Sequence, residues 1–265
     1  MIGGFAEEEL VRAIETTYYE DIVALSAGIP GSFSRRESDM IIYSSGLPAN
    51  FLNGVLGPRF SSKTVSKRIE LAMTRFKKMR LPMRWVLGPS STPSGLEGLL
   101  LRKGMISGAA IPGMAIDLKT VESEPLPSGL EIRRAEDMKS VGTCGETVAR
   151  GFEFPQNVGE GFRRLIEGYG LGTKHRWFLG YWKGRPVAAS LVVLREDVAS
   201  IYCVATVPEA RGRGIGTAIT REPLLEAKND GHSVAVLEAS EMGLPVYRRL
   251  GFKELFEFKT LTWSP

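Results

Sequence analysis

The stretch 207–218, VPEARGRGIGTA, constrains the fold more than any other part of the chain. Two arginines and three glycines fall between Arg211 and Gly216, after an apolar run and before a segment with helical character. Glycine is costly inside regular structure, so three at alternate positions mark a backbone that bends sharply or lets something approach closely. The loop leads into a helix N-terminus, where unpaired N–H groups and the positive end of the helix dipole gather. Arg211 and Arg213 add positive charge. Such a loop suits a phosphate or pyrophosphate. Its sequence lacks the GxxxxGK[ST] of a P-loop. For a dinucleotide fingerprint Glu238 is suitably distant, but Thr217 stands where the third glycine belongs and Pro208–Arg211 separate strand from loop. A merely flexible basic loop is the plain alternative.

The elements around the loop are readable. Prolines, a glycine and acids break all periodicity over 121–129, so 123–129 reads as a linker between domains 1–122 and 130–265. After it come a strand at 130–135 and a helix capped by Glu136 or Asp137 and running towards Arg150. A turn at 151–157 and a helix at 157–168 follow. Strands fit 176–182, 186–194 and 199–207, with turns at 183–185 and 195–198. The helix after the glycine loop runs to Asn229, with Pro223 expected to kink it or end a first segment. A strand at 233–239, a short helix at 243–251 and a strand at 252–263 close the chain. This order predicts an α/β (α+β) domain on one central sheet.

The first half reads similarly. Strands fit 39–46, 50–57 and 81–87, helices 62–80 and 95–104, and a broken strand 105–118. GLEGLLLRKGMI (95–106) parallels GLPVYRRLGFKE (243–254), each a short helix ending in a basic turn before an apolar strand, which suggests a duplicated fold. Helix–Gly–strand is also a common connection, so the parallel alone leaves both readings open. The 62–80 helix has a basic outer face, read as a solvated surface in preference to a nucleic-acid site.

Two motifs resemble those of the GNAT superfamily of N-acyltransferases. Arg211–Gly216 fits [Q/R]xxGx[G/A], and Tyr247-Arg-Arg-Leu-Gly251-Phe252 fits a later YxxxGF. They stand in the family's order, within element order that matches from about Leu130 to Trp263. The resemblance implies a GNAT fold with a mixed, mostly antiparallel sheet, preceded by a smaller, degenerate GNAT-like domain. It implies acetyl-CoA as co-substrate, its pyrophosphate held at Arg211, Gly212, Arg213, Gly214, Ile215, Gly216 and Thr217. It places the pantetheine arm along Val204, Ala205 and Thr206, and Tyr247 as general acid. A core tyrosine is the alternative there. Ser200 stands where some members carry a basic glutamate, which leaves Glu238 or Glu153 as candidate bases beside a water chain. Ser240 replaces an asparagine common seven residues before the tyrosine, and by the resemblance its hydroxyl is expected to bond the cofactor, less firmly than an amide. In the first half PRFSSKTVSK (58–67) stands in place of the glycine loop and Leu100 in place of Tyr247, so that half reads as inactive.

Composition narrows the class. A net charge of +4 is too small for a dedicated nucleic-acid binder and suits an anionic ligand. Cys144 and Cys203 share no CxxC spacing and read as reduced, and two distant histidines argue against a metal site. No apolar run reaches the length of a membrane span, and the acidic N-terminus does not resemble a signal peptide. The expectation is a cytoplasmic monomer or homodimer that transfers an acetyl (acyl) group to a small-molecule amine, less readily to a protein amine. A non-catalytic acyl-CoA sensor or scaffold is the alternative.

Overall fold

The computed structural model describes residues 1–196 and 198–265. The turn expected over 195–198 includes Asp197, which lies outside the described residues. In chain order the elements are α1 (Glu7–Ser26), β1 (Phe33–Arg36), β2 (Ile41–Ser44), β3 (Asn53–Leu56), α2 (Val65–Met79), β4 (Met83–Leu87), α3 (Leu96–Arg102), β5 (Ile106–Ser107), β6 (Ile111–Asp117) and β7 (Leu130–Arg134). They continue with α4 (Met138–Gly151), α5 (Gln156–Tyr169), β8 (His175–Trp182), β9 (Arg185–Leu194), β10 (Val198–Thr206), α6 (Ile215–Asn229), β11 (Val234–Glu238), α7 (Leu244–Leu250) and β12 (Lys253–Trp263).

The chain gathers into two compact units, each discontinuous in sequence. The larger holds Met1–Ile14 and Gly113–Leu255, the smaller Glu15–Pro112 and Phe256–Pro265. This division differs from a single cut at 123–129. The reason is strand pairing. β6 precedes the linker yet pairs antiparallel with β11, Ile116 opposite Ala235. The end of β12 pairs antiparallel with β4, Leu261 opposite Trp85. Loss of regular structure at the linker marks where the chain bends, not where the sheets divide.

The larger unit's sheet has the order β6–β11–β10–β9–β8–β7. Among the described residues β10 and β11 alone run parallel in it, so it is mixed and mostly antiparallel. Asp137 starts α4 with a capping box, its carboxylate accepting from Ser140 N at 2.7 Å. Ala199, Ile201, Ala235 and Leu237 share a buried cluster with Ile215, Ile219 and Leu224 of α6. That alternation along both strands is what a sheet face packed on a helix requires.

Helix α6 is not ended at Pro223, contrary to the break allowed for in the sequence. Proline has no N–H, so the carbonyl of Ile219, four residues earlier, loses its ordinary donor. The hydroxyl of Ser190, on β9 and fully buried, donates to that carbonyl at 2.7 Å. The sheet thus replaces the missing bond of the helix.

The smaller unit repeats the plan. Its sheet runs β1–β2–β3–β4–β12, with β5 also on β12, and its parallel pair is β3 with β4, joined through α2. Thus β3–α2–β4–α3 parallels β10–α6–β11–α7. Phe76, Trp85, Leu100 and Leu261 lie in its core. Leu100 is fully buried where the parallel helix carries Tyr247. Residues 50–52 form a 3-10 turn rather than strand, and 105–118 divides into β5 and β6. α1 and β1 are additions to the sequence reading.

Candidate active site

Among the described residues β10 and β11 pair over three positions, Val198–Ser200 with Val234–Val236. Beyond Ser200 the strands part, β10 running on to Thr206 and β11 to Glu238. On its other side β10 slips register against β9: Tyr202 faces Leu191, but Ala205 faces Ala189. One extra residue therefore lies in β10, and Cys203 there has φ 53°, unusual for a residue with a side chain. A bulge bends its strand and frees local main-chain groups from the ladder. The gap between the parted strands opens on a cavity of ≈ 860 Å³. Val204, Ala205, Thr206, Tyr247 and Ser240 all line it.

The glycine loop closes one end. Gly212 and Gly214 have φ 75° and 77°, the left-handed region that glycine enters without strain. Gly214 is the N-cap of α6, so the first-turn amides of Ile215, Gly216 and Thr217 lack intrahelical acceptors. A Cβ at Gly212 would meet nothing within 4 Å, and Gly212, Gly214, Gly216 and Thr217 line the cavity. Arg213 lies over the Trp182 ring at 4.5 Å, with the Lys183 ammonium at 4.8 Å from the same ring. Free amides, a helix dipole and two nearby cations fit a pyrophosphate and its attached phosphate.

Arg211 also lines the cavity, with its guanidinium held by protein groups. Its guanidinium donates to Gly151 O at 2.7 Å and Thr206 O at 3.2 Å, and pairs with Glu153 at 3.2 Å. It ties the loop to the end of α4 and the end of β10. Glu153 has φ 53°, and its side chain is 62% exposed beside that cation.

Tyr247 is 7% exposed, and its ring lies on the backbone of Gly243. A Cβ at Gly243 would stand 2.7 Å from the ring, so only glycine leaves room. Burial, then the charge of Glu238, then Cys203 hold the phenol above its ordinary 10. It remains protonated throughout the physiological range. Glu238 ends β11 with both carboxylate oxygens shielded from solvent. Burial pushes the Cys203 thiol up to about 12, so it stays neutral. The Ser200 hydroxyl is fully buried and has no hydrogen-bond partner among the described residues. Ser240 Oγ accepts from Gly243 N at 3.1 Å, shaping the turn before α7. Among the described residues there is no cluster of His, Cys, Asp and Glu able to hold a metal, and no helix long and apolar enough to cross a membrane.

Residues 148–255 match the family model described as an acetyltransferase (GNAT) domain. The chain carries a GNAT domain. Solved structures share its fold. A GCN5-related N-acetyltransferase from Kribbella flavida is 18% identical, with a TM-score of 0.69 over 96% of this chain and 95% of that one. Another GCN5-related N-acetyltransferase, from Sphaerobacter thermophilus, is 18% identical, with a TM-score of 0.63 over 85% and 80%. A tandem GNAT protein from the clavulanic acid biosynthesis pathway is 14% identical, with a TM-score of 0.60 over 100% and 97%. In this frame the parted strands and the glycine loop belong to the GNAT domain, and the chain as a whole, with its repeated β3–α2–β4–α3 plan, shares its fold with that tandem GNAT protein.

Sequence reasoning missed Gly151, Phe152, Met242 and Gly243. Gly151 carries α4 onto β10, where a Cβ would stand 2.8 Å from Ala205 Cβ and 3.2 Å from Thr206 N. The glycines at 151 and 243 were visible signals. Phe152 and Met242 gave none, because single apolar residues in turns are ordinary.

Proposed function

We propose that the chain is an acetyl-CoA-dependent N-acetyltransferase acting on a primary amine of a small molecule, in the cytoplasm. The observation that carries this is one cavity lined by both the left-handed Gly212–Gly214 cap of α6 and Tyr247. In this reading the amides of Gly212 to Thr217 bind the pyrophosphate, with Arg213 beside them. Val204 to Thr206, released from the ladder by the bulge, receive the pantetheine arm as a strand would. A freed N–H of β10 polarises the thioester carbonyl.

The amine attacks that carbonyl directly, forming the C–N bond and expelling the thiolate of coenzyme A. Tyr247, neutral and buried, gives its proton to the departing sulfur. Glu238 first takes one proton from the ammonium, directly or through water, to free the amine, and the second proton that the nitrogen sheds on becoming an amide restores Tyr247. Glu153 is exposed and paired with Arg211, so we assign it to holding the loop. Arg211 likewise positions the loop and leaves the anion to the amides. Ser240 shapes the turn that carries Tyr247.

Calorimetric titration with acetyl-CoA tests the reading. Micromolar binding is expected in the wild type and is lost in Gly214→Asp, which puts a side chain and a negative charge in the cradle. Tyr247→Phe is expected to keep binding and lower kcat about 10²-fold or more. Failure of the wild type to bind acetyl-CoA overturns the proposal. Binding without turnover on any amine returns the chain to the class of acyl-CoA sensors.

A further inference from the structure

We propose that the acceptor is a primary amine carried on an apolar body, held between Phe152 and Met242. The proposal rests on the acyl-transfer reading above and names its second substrate.

Phe152 and Met242 are large apolar side chains 45% and 63% exposed, and both line the cavity that holds Tyr247. They come from its two arms. Phe152 follows Gly151, whose close packing on Ala205 and Thr206 sets it beside β10. Met242 follows β11, in the turn shaped by Ser240 and Gly243. Isolated exposed apolar residues need no explanation, but two in the lining of one cavity leave apolar surface for a ligand to cover.

Phe152 is also held in place. Its ring stacks on Phe154 at 5.6 Å and 14°, and Phe154 meets Phe162 of α5 edge-on at 5.3 Å. Phe162 is buried, so this row of rings runs back from the wall to the core. Met242 has a flexible thioether that adapts to whatever lies against it.

The charges around this pair define the head group. Glu153 is neutralised by Arg211. Glu241, next to Met242, lines the cavity, is exposed and has no ion-pair partner among the described residues. It draws in an ammonium. Arg249 lines the same cavity and is exposed, and it favours a carboxylate on the acceptor where one is present.

The test compares kcat/KM for phenethylamine, phenylalanine, putrescine and ethanolamine, read by release of the coenzyme A thiol. Phenethylamine or phenylalanine is expected to exceed both polar amines by at least tenfold, and the better of the two reports whether Arg249 engages a carboxylate. Phe152→Ala and Met242→Ser are each expected to raise KM for the apolar acceptor roughly tenfold, the effect of uncovering most of one apolar side chain. Met242→Leu should restore it. Acetyl-CoA affinity by calorimetry should be unchanged in all three variants, which separates acceptor contacts from cofactor contacts. A wild type that binds acetyl-CoA but prefers the polar amines, or acetylates none of the four, overturns this inference while leaving cofactor binding intact. KM unmoved by both truncations, or acetyl-CoA affinity lost with them, overturns it too. A wild type that fails to bind acetyl-CoA overturns the acyl-transfer reading instead.

Discussion

Replacing Ser190 with Ala would expose how α6 survives its proline. Ser190 is fully buried, and its hydroxyl donates at 2.7 Å to the carbonyl of Ile219, which Pro223 leaves without its helical donor. Ala at 190 removes that donor and leaves a buried carbonyl with its main partner gone. The desolvation of such a group costs about 1–3 kcal/mol. In the Pro223→Ala background the main-chain N–H returns, and the same Ser190→Ala change should cost less than about 1 kcal/mol. The two substitutions are therefore coupled by roughly 1–2 kcal/mol, with the serine mattering only while the proline is present. Urea unfolding of the four proteins measures the cycle, and amide exchange along α6 locates it. The reasoning fails if Ser190→Ala costs the same in both backgrounds, or if exchange quickens elsewhere and not in α6.

Three further outcomes follow from the geometry. Gly243→Ala places a methyl 2.7 Å from the Tyr247 ring, so kcat should fall about tenfold or more while acetyl-CoA affinity changes little; unaltered kcat would mean the ring position is immaterial. Arg211→Met should destabilise the protein by about 2 kcal/mol, because two backbone carbonyls lose a charged donor, whereas Glu153→Ala should cost less than about 0.5 kcal/mol, since that pair is screened by solvent. Equal losses in denaturation midpoint would refute the assignment of Arg211 to the carbonyls. His175 is held below its ordinary 6.5 by burial and then by Arg195, so the unfolded chain takes up its proton first as pH falls. Its contribution to stability is whole above about pH 6.5 and is lost below it, and His175→Gln should flatten the fall in Tm between pH 7 and 5.

The larger unit was legible because its strands and helices differ sharply in period and are punctuated by turns. Asp137, Lys183–Gly184 and Gly231 each stand where a cap or turn is found. α1 escaped because its inward positions include Glu15, Thr17 and Asp21, all buried, so no clean apolar stripe marks it. Glu15 accepts from Tyr19 and from Ser90, satisfactions that only the tertiary structure supplies. β1 reads FSRR and is largely exposed, without the alternation of a half-buried strand.

At the site, the glycine loop was legible because its backbone takes up left-handed angles at Gly212 and Gly214. The carbonyl partners of Arg211 were not, because a basic residue beside a glycine loop suggests an anion and gives no sign of main-chain acceptors. The bulge was hidden as well. Its irregular residue is Cys203, inside an apolar run that reads as unbroken strand.

The exchange of β6 and β12 sets how this chain can be divided. A fragment starting after the linker would keep the glycine loop, Tyr247 and the parted strands. It would lose β6, leaving β11 as a raw edge open to foreign strands, and would carry the end of β12 without β4 to receive it. A truncation of the last ten residues would injure the half that lacks the glycine loop and spare the sheet that bears it. Each copy of the duplicated plan is finished by a strand that the chain delivers from beside the other. Neither half can then be cut away along the sequence without removing a strand from the sheet of the other.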